Sequence, residues 1–134
     1  MAIPFPSDAW AKAAMEKVNA SEDYQKAAKN WEGDLVFIVT AVPDERQTVY
    51  LYMDLWHGEC RDAYETTADK QSEFTINAPL AVWRKVLDGK LDPIRGLVSR
   101  QLKLTGSLAK IMKAPRAANE LVNACAKIDT EWPV

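Results

Sequence analysis

Ala78–Lys113, APLAVWRKVLDGKLDPIRGLVSRQLKLTGSLAKIMK, carries apolar side chains through consecutive short helices and a strand. Leu80, Trp83, Val86 and Leu87 recur at helical spacing, and Gly89 ends that helix. Asp92 then stands at an N-cap position with Pro93 at the first helical position, where proline's missing donor costs nothing. Ile94, Leu97 and Val98 share one face of this second short helix. Leu102 and Leu104 flank Lys103 with the alternation of a strand. Gly106 turns the chain, and Ser107 caps a third short helix bearing Leu108, Ile111 and Met112. Short apolar helices packed side by side over a sheet either fill a core or wall a cavity.

The N-terminal quarter reads as two helices. Ser7 or Asp8 starts the first, with Trp10, Ala14 and Val18 stacked on one side. Ser21 starts the second, with Tyr24, Ala27, Ala28 and Trp31 together and Gly33 as its terminator. The unbroken β-branched and aromatic run Leu35–Val42 predicts a central strand covered on both faces. Pro43–Arg46 predicts a hairpin turn. In the next strand Val49, Leu51, Met53 and Leu55 point one way, while Thr48, Tyr50, Tyr52, Asp54 and Trp56 point the other. Gly58 turns into a more polar strand, Cys60–Thr66, suited to a sheet edge. A turn at Lys70–Ser72 leads to a strand at Glu73–Asn77 carrying Phe74 and Ile76. A final helix runs from Pro115 to about Ile128, with Ala118, Leu121, Val122 and Cys125 as its apolar stripe. The whole predicts a single α+β domain over residues 1–134, a mostly antiparallel sheet with helices collected on one face.

Composition removes several classes of function. Seventeen Lys and Arg against nineteen Asp and Glu leave a net charge of −2, without the cation surplus that phosphate backbones require. Nucleic acid is therefore not an expected partner. The longest apolar run is too short to span a bilayer, which needs about 20 residues, so stable membrane insertion is not expected. The opening MAIPFPSDAW has no basic region followed by an apolar run, and a secretory leader is not expected. Cys60 and Cys125 stand far apart, outside any CxxC spacing, as free thiols in a reducing cytoplasm do.

Catalytic and cofactor chemistry finds little footing in the residues. His57, the one histidine, lies in the sequence HGEC with Cys60. A cysteine nucleophile needs a base within hydrogen-bond reach, but Gly58 places these residues on one exposed turn, so no catalytic residue is assigned. One His, two separated Cys and scattered carboxylates supply no metal-ligand spacing. The five glycines stand singly, without GxGxxG or GxxxxGK[ST], so neither nucleotide nor other cofactor is expected. The aromatic residues are spread over separate elements, as core or cavity lining is. Recognition through shape and apolar surface remains.

Trp83, Val86, Leu87 and Asp88–Pro93 (DGKLDP), followed by Leu102–Gly106 (LKLTG), resemble the sterol carrier protein 2 family, whose order of elements agrees over nearly the whole chain. The resemblance implies a five-stranded sheet with helices on one face and a hydrophobic tunnel between the layers. It implies an apolar ligand of the fatty acid, acyl-CoA or sterol type, bound without catalysis, with transient membrane or enzyme contact during transfer. Arg100–Gln101 and Ser107 depart from the family's usual Gly-Lys and Asp or Asn. On this footing the expected lining is Trp83, Leu87, Ile94, Leu97, Val98, Leu102, Leu104, Met112, Leu121 and Cys125. Ser99, Arg100 and Gln101, where the second short helix meets the last strand, are the expected anchors for a polar head. A different class stays open: an interaction domain with a solid core that docks a partner enzyme through exposed aromatics such as Tyr50, Tyr52 and Trp56.

Overall fold

A computed structural model describes residues 1–133. Five strands form the main sheet: β2 (Glu32–Thr40), β3 (Val49–Trp56), β4 (Glu59–Thr66), β5 (Phe74–Pro79) and β6 (Lys103–Thr105), in the spatial order β4-β3-β2-β5-β6. All neighbouring pairs are antiparallel except β2 with β5, which run parallel. The sheet is thus mixed and mostly antiparallel. A second pair, β1 (Ile3–Pro4) with β7 (Thr130–Glu131), ties the two ends of the chain together in parallel. It escapes sequence reading because two residues carry no periodicity.

The alternation expected in β3 is realised. Val49, Leu51, Met53 and Leu55 are buried in the core under the helices. The opposite face is covered differently. Val36 and Tyr52 lie opposite each other in register and are 3% and 8% exposed. The Lys70 ammonium stands 4.2 Å from the centroid of the Tyr52 ring, and Tyr64 packs on that ring at 5.0 Å. The Tyr52 hydroxyl donates to Asp34 (2.9 Å). A lysine and two tyrosines thus shield this face without helices.

Six helices complete the chain: α1 (Asp8–Asn19), α2 (Glu22–Ala27), α3 (Leu80–Leu87), α4 (Pro93–Val98), α5 (Leu108–Met112) and α6 (Pro115–Cys125). Each N-cap read from the sequence is in place. Ser7, Ser21, Asp92 and Ser107 accept from the amides of Trp10, Tyr24, Arg95 and Lys110 respectively. Helix α1 also closes the exposed edge of β4, which would otherwise offer unpaired backbone groups to a neighbour. Asp8 accepts from the Glu65 amide (2.9 Å) at one end. At the other, Asn19 accepts from the Cys60 amide (2.7 Å) and donates to the Cys60 carbonyl (2.9 Å).

Two expectations are corrected. Helix α2 ends at Ala27 rather than at Gly33, and Gly33 lies inside β2. Its role is steric: a Cβ there would approach the Trp31 ring to 2.9 Å and the Phe74 ring to 3.0 Å. Trp31 lies beyond the helix, and its carbonyl accepts from the His57 amide (2.9 Å). Helix α6 stops at Cys125, short of Ile128.

Candidate ligand-binding chambers

Two apolar chambers lie between the sheet and the helix layer. The first, of about 90 Å³, is bounded by Leu35 and Ile76 on the sheet and by Leu97, Leu102, Ile111 and Ala117 opposite. The second, of about 70 Å³, is bounded by Val39, Leu51 and Met53 on the sheet and by Phe5, Trp10 and Cys125 opposite. Phe37, Trp83, Val86, Leu121 and Val122 line both.

These five shared side chains are positioned by opposite layers. Phe37 projects from the middle of β2, between Leu51 on β3 and Ile76 on β5. Leu35 and Val39 on either side are 4% and 0% exposed, whereas Phe37 keeps accessible surface where it borders the chambers. Trp83 descends from α3 and meets Phe37 edge-on, its ring centroid 5.7 Å away and its plane at 85°. Its indole N–H donates to the Ile38 carbonyl (3.1 Å), which fixes the ring and satisfies the buried donor. Val86 lies one turn further along α3, and Leu121 and Val122 reach in from α6.

The expected lining residues separate into two groups. Trp83 and Leu121 border both chambers, Leu97 and Leu102 the first, Leu87 and Cys125 the second. Ile94 and Leu104 pack against the core, but neither borders a chamber. Val98 is 61% and Met112 41% exposed. Ser99, Arg100 and Gln101 sit on the surface, where Ser99 and Gln101 bond to one another (3.1 Å). Sequence reasoning missed Phe37, Val86, Val122, Trp31 and Ile111 as lining. Their signal was present: Phe37 alternates with Leu35 and Val39, and Val86 lies three residues after Trp83.

The two thiols are buried, whereas the His57 side chain is exposed. Burial pushes both Cys60 and Cys125 up to about 12, so both stay protonated and poorly nucleophilic near neutrality. The Cys60 thiol donates to the Asp62 carbonyl (3.2 Å). His57 stands in the left-handed region (φ 48°) with Nδ1 at 3.0 Å from the Lys29 carbonyl and Nε2 at 3.8 Å from Glu32. Among the described residues no group of three or more His, Cys, Asp or Glu is placed to hold a metal ion, and no helix is long and apolar enough to cross a membrane.

Comparison with curated protein sequences gives no significant match. Among solved structures, a crystal structure of sterol carrier protein 2 is 38% identical, with a TM-score of 0.83 and coverage of 91% of this chain and 97% of that one. A Thermus thermophilus protein, described as possibly a sterol carrier protein, is also 38% identical, with a TM-score of 0.82 and coverage of 92% and 88%. The Aedes aegypti sterol carrier protein-2, solved in complex with palmitate, shares the fold at 12% identity, with a TM-score of 0.52 and coverage of 86% and 96%. The model of the SCP-2 sterol transfer family matches residues 7–119. With the family model matching residues 7–119 and a sterol carrier protein 2 structure 38% identical over 91% of the chain, this chain belongs to the SCP-2 sterol transfer family.

Proposed function

We propose that this protein is a non-catalytic lipid carrier that holds an apolar chain or ring system between its sheet and its helices. The observation that carries the reading is the pair of adjoining apolar chambers, which share five lining residues. Each methylene moved from water into such a space contributes about 0.8 kcal/mol. The family to which the chain belongs, and the palmitate held by the Aedes aegypti protein of the same fold, support the same class of ligand.

At about 90 and 70 Å³ the chambers are smaller than the roughly 300–1,000 Å³ of pockets that enclose drug-sized ligands. Uptake of a long chain therefore requires Phe37 and the helix layer to give way. The short helices α4 and α5 suit such movement. The small volume is also the observation that favours the second reading, a docking domain with a closed core.

Native mass spectrometry of freshly purified protein tests the carrier reading, with co-purified lipid identified after extraction. Bound lipid is the expected result, together with a change in tryptophan emission on fatty-acid titration, since Trp31 and Trp83 line the first chamber. No lipid and unmoved emission would overturn it in favour of the closed core.

A further inference from the structure

A surface groove of about 820 Å³ opens beside the first chamber, and Trp31, Leu55 and Ala114 line both. The Trp31 ring stands between polar groove and apolar chamber. It stacks on Phe74 at 5.8 Å, and its indole N–H donates to the Lys110 carbonyl (3.1 Å). The groove carries charges of both signs, and Arg61 adds a cation from the strand side. Glu32, Asp34, Asp54 and Glu73 come from the strand side, and each is engaged. Glu32 faces His57, Asp54 pairs with Arg61, and Glu73 pairs with Lys110 (2.7 Å). Asp34 accepts from the Tyr52 hydroxyl and the Glu73 amide. The helix side carries cations: Lys26 and Lys29 in and after α2, Lys110 and Lys113 in and after α5. Lys26, Lys29 and Lys113 have no ion-pair partner among the described residues. Lys29 is two residues from Trp31, and Lys113 is next to Ala114.

We infer that this groove is a head-group site for a single-chain amphiphile bearing a carboxylate or phosphate, with Lys29 and Lys113 flanking the head and Trp31 at the threshold over which the chain enters the first chamber. The inference rests on the carrier reading and names its ligand class and entrance. It places the polar head on the α2–α5 side, rather than at Ser99–Gln101. Those residues border neither chamber, whereas the groove shares three residues with one. Unpaired ammonium groups at the rim contribute little each in water, and their attraction weakens with salt.

The test is titration of the full-length protein with dodecanoate and with 1-dodecanol, which differ in head charge and not in chain, at low and high ionic strength. In Lys29→Gln/Lys113→Gln, dodecanoate should bind roughly five- to tenfold more weakly at low salt, and dodecanol as in the unmodified protein. Lys90→Gln, in the turn after α3, should leave both unchanged. Equal loss for both ligands, or no loss for either, would overturn the head-group site while leaving the carrier reading intact. If the unmodified protein binds neither ligand, the carrier reading fails and the site falls with it. Saturable binding of inorganic phosphate, lost in the double variant and unaffected by either amphiphile, would overturn the site as a free-anion site.

Discussion

Phe37 and Trp83 meet edge to face across the layers, ring centroids 5.7 Å apart, and both border each of the two chambers. One ring comes from the central strand and the other from α3, and both side chains have rotatable bonds. Phe37→Ala should join the chambers. Loss of an aromatic core side chain costs about 3–5 kcal/mol, and the lower end applies here because Phe37 is not fully buried. Urea unfolding checks the stability, and titration with C10 and C16 fatty acids checks the space. A relative gain for the longer chain is expected, and unchanged chain-length preference would exclude Phe37 as a barrier between the chambers.

Gly96 on α4 gives a prediction whose sign runs against helix propensity. Alanine in a helix is ordinarily better than glycine by about 1 kcal/mol. A Cβ at Gly96, however, would stand 2.8 Å from Leu102 Cδ1 and 3.0 Å from Cγ, and Leu102 is buried. Gly96→Ala should therefore destabilise by about 1–3 kcal/mol. A stabilised variant in thermal unfolding would refute the close approach.

Asn19 replaces a missing neighbour strand for the edge of β4, giving and accepting one hydrogen bond at Cys60. Asn19→Ala leaves both backbone groups without that partner, at a cost of about 1–3 kcal/mol. Hydrogen exchange offers a local readout. The Cys60 amide should lose protection, while the amides between β2 and β3 keep theirs relative to the global stability.

The raised thiols make a prediction for alkaline pH. Cys60 and Cys125 titrate near 9 when unfolded and are pushed up to about 12 by burial when folded. Their contribution is complete below pH 9 and declines as the pH rises from 9 towards 12, because the unfolded chain releases the protons first. The buried Tyr24 hydroxyl, also raised by burial, adds in the same direction. The urea midpoint should hold from pH 7 to 9 and then fall. Cys60→Ala/Cys125→Ala should show a shallower fall, and an identical fall would show that the thiols do not contribute.

Short-range order was legible from residues alone. Ser7, Ser21, Asp92 and Ser107 start their helices because a side-chain oxygen three residues before an amide closes a local ring, which needs no distant partner. The inward face of β3 was legible for the same reason, since alternation is a property of one strand. Gly33 was misread because local pattern allows a helix stop there, and the rings it accommodates, Trp31 and Phe74, include one from a strand some forty residues away. Trp83, Leu87 and Leu97 were legible as residues on the inner faces of α3 and α4. Val98 and Met112 share that spacing but face outward, because α4 and α5 are too short for periodicity to define a single buried stripe.

Residues close together in the chain were enough to place the helix N-caps, the inward face of β3 and, through Trp83–Pro93 and Leu102–Gly106, the resemblance to a family. The parallel run of β5 beside β2, the meeting of Phe37 with Trp83 and the groove lined by Lys29, Trp31 and Lys113 arise from the tertiary arrangement alone. Caps and alternation arise from neighbours a few residues apart, whose geometry is set by the backbone. Chambers and grooves arise where residues distant in sequence fail to fill, or meet across, a shared space.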